Sequence, residues 1–130
     1  MRAWRRGGTD RPGRQAAERR GRGAEFLAAW WMRAKGYRVL ARRAKTPLGE
    51  IDLIARRGAV IAFIEVKARD DLTLALQALT PVQCRRIERA AQWWLGHRRD
   101  AAHADLRFDL IAVMPHRLPR HLPDAWRPQA

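Results

Sequence analysis

Gly49 to Arg69 reads GEIDLIARRGAVIAFIEVKAR, and the placement of its charges decides both fold and chemistry. Two apolar, β-branched-rich runs flank a polar break at Arg56-Arg57-Gly58, the pattern of a β-hairpin. Side chains alternate across a strand, so Glu50, Asp52 and Ile54 fall on one face and Ile51, Leu53 and Ala55 on the other. In the second run Ile61, Phe63, Glu65 and Lys67 share a face, with Ala62, Ile64 and Val66 opposite. Acidic groups therefore take the same parity as apolar ones, on strands that read as buried on both sides. A buried ion without a partner or a metal costs several kcal/mol. Folding alone has no use for this arrangement, and a site does.

The expected register sharpens the point. A two-residue turn at Gly58-Ala59, or a four-residue loop from Arg57 to Val60, sets Asp52 directly opposite Glu65. Directly opposed residues have Cβ atoms about 4.5–5.5 Å apart, close enough for two carboxylates to hold one divalent cation. A three-residue loop would shift the pairing by one. Lys67 stands two residues beyond Glu65, about 6–7 Å along the same face. Mg²⁺ takes one or two carboxylates and keeps its remaining positions for water and substrate. A cation so held polarises a phosphoryl oxygen, and the neighbouring ammonium suits an attacking water or a phosphate charge. The competing reading ends each carboxylate in a salt bridge with a nearby Arg or Lys; the full D-x12-E-x-K spacing favours the site.

Set in a hairpin, Asp52, Glu65 and Lys67 at this spacing resemble the core of the PD-(D/E)xK nuclease superfamily. The wider string GEIDLI…FIEVKAR, followed by a helix and then RFDLIAV (Arg107–Val113), is similar to the YraN family of small endonuclease-like proteins, from about Gly21 to Met114. The resemblance implies a restriction-endonuclease-like or resolvase-like α/β core. It implies metal-dependent hydrolysis of phosphodiester bonds in nucleic acid, DNA before RNA. Asp52 and Glu65 would hold Mg²⁺ or Mn²⁺, and Lys67 would orient water or stabilise the transition state. It further implies that Glu25, on the first helix, faces the metal as a third acidic member, directly or through water.

The totals agree with a polyanionic partner. Among 130 residues, Lys plus Arg number 27 against 13 Asp plus Glu, a net charge of +14. Cys84 is the single cysteine, which excludes an internal disulfide framework and a Cys-based zinc site. His97, His103, His116 and His121 show no metal-ligand spacing and read as surface residues. No apolar run approaches the roughly 20 residues of a membrane span, and the basic N-terminus lacks the apolar stretch of a secretory signal. The expectation is a cytoplasmic protein with no membrane association.

Along the chain, residues 1–20 are Arg- and Gly-rich and read as a flexible basic tail. A helix is expected from Gly23 to Lys35, stopped by Gly36, with Ala24, Leu27, Ala28, Trp31 and Ala34 on its packed stripe. Tyr37 to Ala41 reads as a strand and Arg42 to Leu48 as its connection to the hairpin. Leu72 to Leu79 either extends a helix or exposes apolar side chains to a partner. Thr80-Pro81 opens a helix that runs to about His97. Arg86 and Arg89, one turn apart on it, join Arg69 as candidate phosphate contacts. A strand follows at Leu106 to Met114, where Asp109 is expected to pair with an Arg. Residues 115–130 read as a Pro-rich tail that Trp126 docks back on the body. The whole is an α/β domain over 21–114, of order αβββαβ, with a mixed four-stranded sheet flanked by helices. A nucleic-acid-binding module that keeps such a fold but does no chemistry is the alternative, and the sequence leaves a homodimer open.

Overall fold

Among the described residues the sheet has five strands, in the order in which they occur along the chain. In the computed structural model, which describes residues 21–129, a first helix α1 (residues 21–34) leads into β1 (Arg38–Thr46), β2 (Gly49–Arg57) and β3 (Val60–Ala68). Two helices, α2 (Leu72–Ala78) and α3 (Pro81–Gly96), then carry the chain back to β4 (Asp105–Val113), which pairs parallel to β3. The last strand, β5 (Arg120–Trp126), pairs antiparallel to β4. The expected basic tail, 1–20, lies outside the described residues.

Local chemistry explains each boundary. Gly36, at φ +90, ends α1 in the left-handed conformation that favours glycine, and the Tyr37 N–H closes onto the Met32 carbonyl at 2.9 Å. Thr80 caps α3 as expected: its hydroxyl accepts from the Gln83 N–H at 3.2 Å, with Pro81 opening the first turn. Two cores result. Ile87, Ala90, Ala91 and Trp94 of α3 cover Ile51, Ile54, Ile61 and Phe63 on one face. Ala28, Ala29 and Met32 of α1 cover Leu53, Ala55, Ala62 and Ile64 on the other.

Several expectations need correction. Arg42 to Thr46 continue β1, and a tight turn at Pro47-Leu48 replaces the expected connection. The packed face of α1 is Ala24, Glu25, Ala28, Ala29 and Met32, whereas Leu27 and Ala34 are exposed, because the small alanines let the helix lie close on the sheet. The sheet has five strands rather than four, since residues 120–126 pair with β4 instead of trailing. Trp126 docks as expected, stacked on Phe108 with ring centroids 5.3 Å apart and donating to Glu88 Oε2 at 2.9 Å. His121 is no surface residue: its side chain is 2% exposed, bonded to Asp109 on one side and Lys35 on the other. α2 is a single short helix that leaves Leu74 and Leu76 exposed.

Gly49 opens the GEIDLI motif at φ +143, and a Cβ there would meet the Cγ and Cδ of Arg86 at 2.9 Å. Gly49→Ala is therefore expected to cost about 1–3 kcal/mol, read as a lower urea midpoint. Arg86→Ala in the same chain should recover only the steric part.

Candidate active-site cleft

The hairpin turns at Gly58-Ala59, the two-residue form, with Arg57 paired to Val60 and Leu53 to Ile64. Continued by one step, that register sets Asp52 against Glu65. The regular ladder stops there, and the Asp52 carboxylate accepts the Val66 N–H at 2.9 Å. Strict alternation also fails at this residue. Ile51 packs with Ile54 beneath α3, while Leu53, between them, packs beneath α1. The expected grouping of Ile51 with Leu53 on one face is thus overturned.

The residue of β1 across from Asp52 is irregular too. Arg43 has φ +52, a left-handed conformation inside a strand, and the chain is irregular between Val39 and Ala41 as well. Such a conformation costs about 1–3 kcal/mol in a non-glycine residue and persists only where its surroundings hold it. Here Glu25 holds it: the Arg43 guanidinium is ion-paired to the Glu25 carboxylate on α1.

These irregularities open a cleft of about 360 Å³ whose walls include Glu25, Asp52, Glu65, Lys67 and Arg69. Asp52 and Glu65 stand near enough in the cleft for the Glu65 carboxyl to disfavour ionisation of Asp52, and Lys67 Nζ lies 3.8 Å from Glu65 Oε2. Burial, reinforced by the neighbouring Glu65 carboxyl, pushes Asp52 up to about 8, with the Val66 N–H and Lys67 opposing. Burial also raises Glu25, with Arg43 offsetting part of the effect. Two oxygen-donor carboxyls that repel one another unless a proton or a cation lies between them are a donor set suited to a hard divalent ion. Among the described residues, no group of three or more His, Cys, Asp or Glu converges closely enough to hold a metal. Glu25 stands in the cleft wall with its carboxylate committed to Arg43.

Of the residues singled out by sequence, the fold brings Asp52, Glu65, Lys67, Glu25 and Arg69 to this one cleft. Arg86 and Arg89 are exposed on α3 and form no part of its walls. Glu50 is exposed, opposite Lys45 at the strand end. Asp109 pairs as expected, fully buried, with Arg107 donating at 2.8 and 2.7 Å. Arg43, which engages Glu25 in the cleft wall, is the residue that sequence reasoning missed. Nothing in an Arg-Arg dipeptide announces a left-handed conformation.

Comparison with known proteins agrees with the family resemblance. The pattern of the Uncharacterised protein family UPF0102, the YraN family, matches residues 24–113. A UPF0102 protein of Paramagnetospirillum magneticum is 54% identical over 117 residues, 87% of this chain and 91% of that one. One from Parvibaculum lavamentivorans is 57% identical over 113 residues, covering 87% and 85%. A third, from a Chelativorans species, is 53% identical over 116 residues, covering 89% and 94%. The matched segment holds all three residues of the hairpin signature, Asp52, Glu65 and Lys67, and the chain belongs to the UPF0102 family.

Proposed function

We propose that the protein is a Mg²⁺- or Mn²⁺-dependent nuclease that hydrolyses phosphodiester bonds of nucleic acid, DNA in the first instance. One observation carries the reading: two neighbouring carboxyls and an ammonium meet in an open cleft on a chain of net charge +14. Asp52 and Glu65 would hold the cation, whose contribution is Lewis-acid polarisation of the phosphate. The Val66 N–H fixes the Asp52 carboxyl, so the pair needs little reorganisation to receive an ion. Lys67, beside Glu65, positions the attacking water or offsets the negative charge that develops as water adds to phosphorus and the ester oxygen departs. Arg69 at the mouth of the cleft meets the neighbouring phosphate. Glu25, in the same wall, would contribute through water.

The test is incubation of branched, single-stranded and duplex DNA with the full chain and Mg²⁺ or Mn²⁺. Cleavage by the wild type and none by Glu65→Gln is the expected result. Cutting that persists in both Asp52→Ala and Glu65→Ala defeats the assignment. A basic binding module without chemistry would instead show a steep salt dependence and no cation-linked change in stability. Among the described residues no helix is long and apolar enough to cross a membrane.

A further inference from the structure

Beside the cleft lies a larger hollow of about 1260 Å³. Ala24, Ala68 and Arg69 line both, so the two spaces adjoin at these three residues. The hollow is apolar where the cleft is polar. Phe26 and Leu27 of α1, Leu74 of α2, and Met114 and Leu118 beyond β4 line it. Phe26 is 58% and Leu118 66% exposed, a large apolar surface left in water next to the reactive groups. Arg69, Arg117 and His116 also line it, with Asp70 the single acidic member among the described residues. The Arg42 guanidinium stands 5.8 Å from the Phe26 ring centroid.

A phosphate held by Lys67 and Arg69, with a flat apolar group within reach of Phe26, describes a nucleotide whose base has left the stack. Aromatic and apolar platforms bind such bases without regard to sequence. A fully paired duplex keeps its bases stacked and offers Phe26 nothing. A second copy of the chain fits less well, because a two-fold contact would set the same patch against itself. Arg69 and Arg117 of both copies would then be gathered into one interface on a chain of net charge +14.

We infer that this hollow receives the unpaired base next to the phosphate in the Asp52–Glu65 cleft, so that the substrate is nucleic acid with a single-stranded stretch at or beside the cut. The inference rests on the phosphodiesterase reading of the cleft. Its test is binding rather than cutting, so the two can fail separately. Full-length Glu65→Gln protein, with and without the further changes Phe26→Ala and Leu118→Ala, is titrated by fluorescence anisotropy. The probes are a fully paired duplex, the same duplex with a single-stranded flap, and that flap with abasic residues at the junction.

The flap is expected to bind about five-fold tighter than the paired duplex or more. Abasic residues should remove this advantage, and so should the Phe26→Ala/Leu118→Ala pair, with no further loss when the two are combined. Paired-duplex affinity should hold, which controls for folding of the variant. Equal affinity for all three probes overturns the proposal, and it is decided on the unaltered hollow even if the variant fails to fold. A concentration-dependent dimer lost in Phe26→Ala also overturns it, by naming a second copy as the occupant. Flap preference without any cleavage by the wild type would retire the nuclease reading and leave this site standing.

Discussion

Asp52→Asn is expected to abolish cation binding and cleavage while raising the melting temperature. The asparagine keeps an oxygen for the Val66 N–H and gains a donor toward Glu65, so the local geometry survives. What it loses is a carboxyl that the folded protein holds protonated up to about pH 8 and the unfolded chain ionises near 3.8. Since the folded-state value is the raised one, the native state binds the extra proton between those limits. The stabilisation tied to that proton is complete below about pH 4 and disappears as pH climbs to 8. The variant should match the wild type near pH 4 and exceed it increasingly above, by about 2–4 kcal/mol, or roughly 5–10 °C, at pH 8. Mn²⁺ should reverse the order, because an ion that binds only the folded wild type stabilises it alone. Calorimetry at pH 6 in buffers of different ionisation enthalpy should register release of about one proton per Mn²⁺ bound, and none well above pH 8. A variant that melts with the wild type throughout this range would mean that the cleft is wet enough to leave Asp52 an ordinary carboxylate.

Asp109→Ala should be the most damaging substitution away from the cleft, at about 3–5 kcal/mol of folding stability. The carboxylate is wholly inaccessible and accepts from Arg107 through both oxygens, from His121 at 2.7 Å and from the Asp124 N–H at 3.0 Å. Removing it leaves the half-buried Arg107 guanidinium with Tyr37 alone and takes the acceptor from the Asp124 N–H. Burial alone would push Asp109 up; the bonds from Arg107, His121 and Asp124 outweigh burial and hold it below the usual carboxylate range. With a depressed value the sign is opposite to that of Asp52. The contribution is present above about pH 4 and fails as acid drives the pH through the folded-state value. Urea titrations at pH 7 and pH 3 should therefore show a large gap between wild type and Asp109→Ala at the first and a smaller one at the second. A gap below about 1 kcal/mol at pH 7 would relegate the cluster to decoration.

The hairpin and the approach of Asp52 to Glu65 were legible because both follow from alternation within 21 residues, while the length of the turn stayed open between two residues and four. The start of α3 was legible for the same reason, since Thr80-Pro81 is a local signal. What escaped depends on contacts distant in sequence. The break in alternation at Asp52 lies opposite Arg43 in a neighbouring strand, itself paired to Glu25 eighteen positions earlier. β5 was hidden by its prolines, which read as the mark of an extended tail. Pro119 precedes the strand, and Pro123 lies within it, tolerated because the bulge at Asp124 turns that N–H inward to Asp109. His121 looked like a surface residue because nothing nearby in sequence reveals that Asp109 and Lys35 enclose it.

That bulge has a consequence for life in a crowded solution. The two rims of the sheet are β1, which carries Arg38, Arg42, Arg43 and Lys45, and β5, broken by a proline and a left-handed aspartate. Neither offers the flat, uncharged ribbon on which a stray strand nucleates a fibre. Among the described residues the sheet is thus guarded against stacking rim to rim, which leaves side chains on its faces as the ground for association.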